Sequence, residues 1–274
     1  MMLSAALRQA RAALAAGGIA DAGFEARLLL GHQLGRDPRD GTESEVDAAV
    51  LEGLLARRLA HEPMAFILGR QGFWDLELEV SAATLIPRAD SETLVEAAFA
   101  ARPDRSAVRR VLDLGTGTGC LLLAVLGGFP EAWGVGVDVA AAAAALAARN
   151  AARNGLGRRC GFVCGDWDEA IEGRFDLVLC NPPYIESGSI DGLMPDVSAW
   201  EPRRALDGGA DGLDCYRRVM AALPRRLSAG AVAVVELGVG QGDPVGELAV
   251  AAGLRVVLVR PDLGGIPRAM VLAA

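Results

Sequence analysis

Along the first part of the chain apolar residues recur at helical spacing. Further on they gather into short runs separated by glycine. Leu3, Leu7, Ala10 and Leu14 share one helix face that stops at Gly17-Gly18, and residues 21–34 predict a second helix ending at Gly35. Thr42-Glu43-Ser44-Glu45 has the spacing of a capping box, which predicts a third helix with a face of Val46, Val50, Leu51, Leu54, Leu55 and Leu59. His61-Glu62-Pro63 breaks it. After Trp74, apolar and acidic residues alternate up to Val80, as in a half-buried strand, and predict a short hairpin.

From Arg110 the period changes. Short apolar strands are predicted over 111–114, 133–139, 161–164, 175–180, 231–237, 254–259 and 269–273. Helices are predicted over 119–129, 140–148, 211–227 and 243–252. This alternation predicts an α/β fold with a doubly wound, mostly parallel sheet. The chain then divides into a helical bundle over 1–70, a hairpin linker over 71–105 and a sheet domain over 106–274. Sheets of this kind bind ligands at the carboxyl ends of their strands, so the residues just after each strand carry the chemistry.

Composition narrows that chemistry. All 27 basic residues are Arg, which excludes a Schiff-base lysine and a Walker A lysine. His32 and His61 are the two histidines, too few for a His-built metal centre or a Ser-His-Asp triad. The 5 cysteines form no C-x-x-C pair, and Cys160 with Cys164 has no answering ligand pair, so reduced cysteines and no metal are expected. The longest apolar runs, 121–126 and 139–148, fall well short of the roughly 18 residues of a spanning helix. A cytoplasmic protein without a membrane partner is expected. The formal net charge of −8 is unevenly placed: residues 164–214 hold 12 acids and 3 arginines. Such a segment repels phosphates and favours a basic partner over nucleic acid.

Four strand ends stand out. Gly115-Thr116-Gly117-Thr118-Gly119 follows the first strand, and its glycines let the backbone approach a ligand ahead of a helix N-terminus. The spacing is G-x-G-x-G and not the dinucleotide fingerprint. Asp138 ends the second strand, where an acid accepts hydrogen bonds from ribose hydroxyls. Asp166-Trp167 follows the third, an acid for an adenine amino group and an indole for its ring. Asn181-Pro182-Pro183-Tyr184 follows the fourth. Its two prolines stiffen a turn that presents the Asn181 carboxamide and the Pro182 carbonyl as fixed acceptors for an NH₂ group, beside the flat Tyr184 ring.

Asp113–Gly119 together with Asn181-Pro182-Pro183-Tyr184 resembles the class I S-adenosylmethionine-dependent methyltransferases that act on amino groups. Further stretches resemble the PrmC/HemK family: Glu62–Gly69, Phe73-Trp74, Leu85-Ile86-Pro87-Arg88 with Glu92, Glu201-Pro202, Ala205–Gly209 and Asp211-Gly212-Leu213. The chain departs from that pattern at Phe66 and Ala89, and more loosely at Gly264–Arg268. The resemblance implies a Rossmann-like catalytic domain behind a small helical substrate-recognition domain. It also implies methyl transfer from S-adenosylmethionine, which leaves S-adenosylhomocysteine, to the glutamine side-chain nitrogen of the Gly-Gly-Gln motif in peptide chain release factors. Gly115, Thr116, Gly117, Thr118, Gly119, Asp138, Asp166 and Trp167 would then serve the cofactor, with Asn181 beside it. Asn181, Pro182, Pro183 and Tyr184 would serve the substrate, and Asn181, Pro182 and Tyr184 catalysis. A monomer is expected. The alternative substrate is an exocyclic amine of adenine or guanine in DNA or RNA, since the same four residues suit it.

Overall fold

The computed structural model describes residues 1–274, which divide into two compact units. One comprises Met1–Gly69 with Met194–Trp200, the other Arg70–Leu193 with Glu201–Ala274.

In the smaller unit α1 (Leu3–Ala16), α2 (Ala22–Leu34), α3 (Ala48–Leu59) and the short α4 (Met64–Leu68) enclose one apolar cluster. Leu3, Ala6, Ala10 and Leu14 of α1 are buried, and the small alanines let α2 approach closely. The predicted capping box does not form. Residues 44–46 run extended beside the amino terminus instead: the Leu3 amide donates to the Ser44 carbonyl at 2.9 Å and the Val46 amide to the Met1 carbonyl at 2.8 Å. Their backbone is therefore engaged outside any helix, and Asp47 caps α3 by accepting from the amides of Ala49 and Val50. Arg58 is buried between two carboxylates, Glu25 at 2.7 Å and Asp196 at 2.9 Å. Asp196 lies on α8 (Pro195–Ser198), which the segment 194–200 contributes to this unit.

The larger unit opens with the hairpin β1 (Arg70–Phe73) and β2 (Leu76–Glu79), followed by α5 (Glu92–Ala101). Stretch 71–105 thus lies inside the larger compact unit. Then come β3 (Arg110–Leu114), α6 (Cys120–Gly128), β4 (Trp133–Asp138), α7 (Ala141–Arg153), β5 (Cys160–Cys164) and β6 (Phe175–Cys180). The chain finishes with α9 (Asp214–Arg226), β7 (Leu227–Glu236), α10 (Gly242–Ala251), β8 (Arg255–Pro261) and β9 (Pro267–Ala273). The sheet order is β5-β4-β3-β6-β7-β9-β8. Its first five strands are parallel, while β9 inserts antiparallel between β7 and β8. Leucines and alanines of α5 and α6 cover one face, and α9 with α10 covers the other. Asn150 of α7 ties the hairpin down. It accepts from the Glu79 amide at 2.7 Å and donates to the carbonyls of Glu79 and Thr118, so β2 and the glycine loop share one anchor.

Candidate active site

The strand order reverses at β3: the chain leaves it to form β4 on one side and returns later as β6 on the other. Ligand crevices open at such a point, beyond the carboxyl ends of the strands. A cleft of about 390 Å³ lies there. Gly115, Thr116, Gly117, Thr118, Asp138, Asp166, Trp167, Asn181 and Pro183 all line it. Gly119, Pro182 and Tyr184 do not.

The glycine loop is held by its own neighbours. Gly115, Gly117 and Gly119 all have positive φ, at 74°, 54° and 84°, a region that costs an L side chain strain. The amides of Gly115 and Thr116 both donate to the Val137 carbonyl at 2.9 Å. Asp138 accepts from the Gly117 amide through Oδ2 and from the Ala140 amide through Oδ1, each at 2.9 Å. A carboxylate has about four acceptor sites, so Asp138 is oriented by two and keeps others for a ligand. Gly119 caps α6, and a Cβ there would meet that of Ala147 at 3.2 Å.

Trp167 adopts φ of 49°, rare for an aromatic residue, and brings its ring over Gly115. Strain of this kind is characteristic of binding sites. Asp166 faces the cleft but pairs with Arg218 at 2.7 Å. Such pairing is general in this stretch. Of the 12 acids in 164–214, Asp166, Asp168, Glu169, Asp191, Asp196, Glu201, Asp207, Asp211 and Asp214 pair with arginines. Most acids of this stretch are therefore engaged within the chain.

The segment after β6 is held from a distance. Asn181 Nδ2 donates to Ser91 Oγ at 3.2 Å, which leaves Oδ1 for a ligand. Pro182 is buried. Tyr184 is enclosed by positions that must lack a Cβ: one on Gly208 would lie 2.7 Å from the Tyr184 Cα, and one on Gly238 2.9 Å from its ring. Gln241 Nε2 donates to the Tyr184 carbonyl at 3.0 Å, and the Tyr184 hydroxyl donates to Glu236 Oε1 at 3.2 Å. Burial and the nearby Glu236 raise the Tyr184 phenol, which stays protonated.

Sequence reasoning missed several residues here. Thr84 lines the cleft with its hydroxyl oxygen buried and unpartnered. Asp113, beneath the loop, accepts from Thr116 Oγ1 at 2.6 Å, but its Oδ1 has no partner. Burial pushes its carboxyl up to about 7. Glu236 is likewise pushed up to about 7 by burial, although Ser91, Arg268 and Tyr184 favour its charged form. Asp113 is one of the residues that carry the family resemblance in the sequence, an acid two residues before the first loop glycine, and what its position there did not disclose is its unpartnered Oδ1. Ser91 and Glu236 carried no sequence signal, since nothing local relates them to Asn181.

The parallel sheet, the glycine loop with its strand-end acid and the stiffened Asn-Pro-Pro-Tyr turn define a class I methyltransferase. Residues 90–194 match the family model of the methyltransferase small domain, and residues 5–69 that of the PrmC N-terminal domain. A release factor glutamine methyltransferase of Rhodospirillum rubrum is 44% identical over 90% of this chain and 77% of its own. One of Cereibacter sphaeroides is 42% identical over 98% of this chain and 97% of its own. The chain belongs to the release factor glutamine methyltransferase family. A solved methyltransferase from Pyrococcus furiosus shares the fold, with a TM-score of 0.54 at 16% identity over 81% of this chain and 98% of its own. No helix is long and apolar enough to cross a membrane.

Proposed function

We infer that this protein transfers a methyl group from S-adenosylmethionine to the side-chain amide nitrogen of the glutamine in the Gly-Gly-Gln motif of class 1 peptide chain release factors. Family membership supports the reading. The observation that carries it is the Asn181 carboxamide, tethered through Nδ2 so that Oδ1 stands beside the glycine loop as an acceptor. The substrate class puts the reaction where translation terminates, in the cytoplasm.

The residues present fit the cofactor. Thr84 Oγ1 and Asp113 Oδ1 are buried and unpartnered, and an ammonium-bearing amino acid moiety would satisfy such acceptors. Asp138 would take the ribose hydroxyls with its remaining lone pairs, and Trp167 would cover the adenine. Asp166, already paired with Arg218, would accept from the adenine amino group with what capacity remains. When bound, S-adenosylmethionine supplies an electrophilic sulfonium methyl.

An amide nitrogen is a weak nucleophile because its lone pair is delocalised into the carbonyl. Asn181 Oδ1 and the Pro182 carbonyl accept from its two hydrogens. They localise the lone pair, aim it, and stabilise the positive charge that develops on nitrogen. Once methylated, the nitrogen gives up one of those two hydrogens as a proton to solvent, which restores a neutral amide. Tyr184, wedged between Gly208 and Gly238, fixes the end of the turn and so keeps the two acceptors in register. The helical bundle over 1–70 is assigned to grip of the protein substrate.

The test is mass spectrometry of a release factor incubated with the protein and S-adenosylmethionine. One added methyl on the Gly-Gly-Gln glutamine is expected. Methyl transfer to an adenine-containing oligonucleotide in its place would overturn the reading.

A further inference from the structure

Asn181 is useful only in one of its two orientations, because its Oδ1 and not its Nδ2 must meet a substrate NH₂. Its partner, Ser91 Oγ, both donates and accepts, so a serine alone fixes neither choice. Ser91 is buried at 3% exposure, close to the Glu236 carboxyl. Glu236 is 2% exposed, and its Oε2 is an acceptor without a partner. Its other oxygen already receives the Tyr184 hydroxyl.

We propose that Glu236, acting through Ser91, sets the orientation of the Asn181 carboxamide, and is thereby a positioning residue for the methyl transfer on whose reading this rests. A carboxylate only accepts, so the Ser91 proton is drawn toward the Glu236 carboxyl, which has acceptor capacity to spare. Ser91 Oγ is then left to accept, and only Asn181 Nδ2 can supply the donor at 3.2 Å. Oδ1 therefore turns to the cleft. The same carboxylate holds Tyr184, so both ends of the 181–184 turn refer to one buried group. The titratable and charged groups near enough to act on Glu236 are Arg268 and Asp90, the Tyr184 and Tyr216 hydroxyls and the Cys120 and Cys180 thiols. Arg268 is the cation that favours its charged form. Protonated Glu236 could donate to Ser91 and reverse the chain, so orientation holds best where the carboxyl is ionised.

The chain contains only Asn150, Asn154 and Asn181, so selective ¹⁵N-asparagine labelling resolves three side-chain amide pairs and reads orientation without any activity. Glu236→Gln and Ser91→Ala are expected to move the Asn181 pair and leave the Asn150 pair in place, and Ser91→Thr to restore it. In methyl transfer Ser91→Ala should lower kcat about 10-fold with S-adenosylmethionine affinity within about 2-fold, and Ser91→Thr should recover it. An Asn181 pair unmoved by these substitutions, or equal losses in Ser91→Ala and Ser91→Thr, would overturn the proposal. If Glu236→Gln does not fold, the Ser91 pair decides by the same signals. A wild-type protein that methylates no release factor would sink the functional reading, while the labelled spectra would still decide this one.

Discussion

The two loops that build the cleft follow strands that lie side by side, yet they are held in opposite ways. The glycine loop after β3 is fixed from within about 25 residues: by its own positive φ angles, by the Val137 carbonyl and by Asp138 at the end of the next strand. The Asn-Pro-Pro-Tyr segment after β6 is fixed from far along the chain. Ser91 lies 90 residues before Asn181, Glu236 lies 52 after Tyr184 and Gln241 lies 57 after it. On the proposed function the first loop is a cradle for the cofactor, and its parts are local because backbone shape suffices. The second must aim two acceptors, and aiming requires a buried polar frame that no short segment supplies.

The comparison breaks most visibly at its catalytic end. Asn181→Ala should lower kcat about 1,000-fold or more, the scale of losing a group that stabilises charge in the transition state. S-adenosylmethionine binding, measured by calorimetry, should stay within about 3-fold. Turnover close to wild type would remove Asn181 from the chemistry. Next comes the frame. A Cβ on Gly208 would sit 2.7 Å from the Tyr184 Cα and 2.8 Å from the Gly212 carbonyl oxygen, both backbone atoms that cannot swing aside. Gly208→Ala should displace the turn and cut kcat about 100-fold, with a lower melting temperature and little change in cofactor affinity. A loss confined to cofactor affinity would mean that residues 181–184 are held as locally as the glycine loop.

This difference also decides what the sequence could disclose. Strand and helix positions around the sheet were legible because period and glycine punctuation are local: 175–180 and 133–139 were predicted within a residue of β6 and β4. The glycine loop, Asp138 and Asn181 were legible for the same reason. The start of α3 was misread because Ser44 and Val46 pair with the amino terminus, a contact no local spacing reveals. Ser91, Glu236 and the Gly208–Gly238 enclosure of Tyr184 were invisible as a site because only the sheet order brings β7 beside β6. For the acidic stretch 164–214 the sequence could not disclose the arginine partners, since they lie mostly outside it, on Arg58, Arg88, Arg217, Arg218, Arg225 and Arg226.

A pH titration of stability compares the two loops through their buried carboxyls. Asp113 beneath the first and Glu236 behind the second are both raised to about 7 in the folded chain, mainly by burial, against about 4 unfolded. Between those values the folded state holds protons that the unfolded state has released, so stability must fall as pH rises. Asp104, Asp207, Asp211 and Asp262 are lowered by hydrogen bonds and give the opposite slope only in more acid solution. Urea unfolding should show a loss on the order of 5 kcal/mol from pH 5 to pH 8. Asp113→Asn and Glu236→Gln should each remove part of it. A flat or rising profile contradicts the burial of both groups, each with one oxygen unpartnered.

The smallest effect belongs to the local loop, and it should be a change of affinity. Asp138 fastens the Gly117 and Ala140 amides with one carboxylate, and on the proposed function its remaining lone pairs would take a ribose. Asp138→Ala removes both, but the positive φ of the glycines and the Val137 contacts persist, so the cradle loosens without collapsing. The dissociation constant of S-adenosylmethionine should rise about 10-fold, as for one or two hydrogen bonds to a charged acceptor. At saturating cofactor kcat should stay within about 3-fold, because Asn181 is held by Ser91 and not by this loop. A large fall in kcat at saturation would show instead that the glycine loop and the substrate turn form one mechanical unit, and that the division between local cradle and distant frame does not hold.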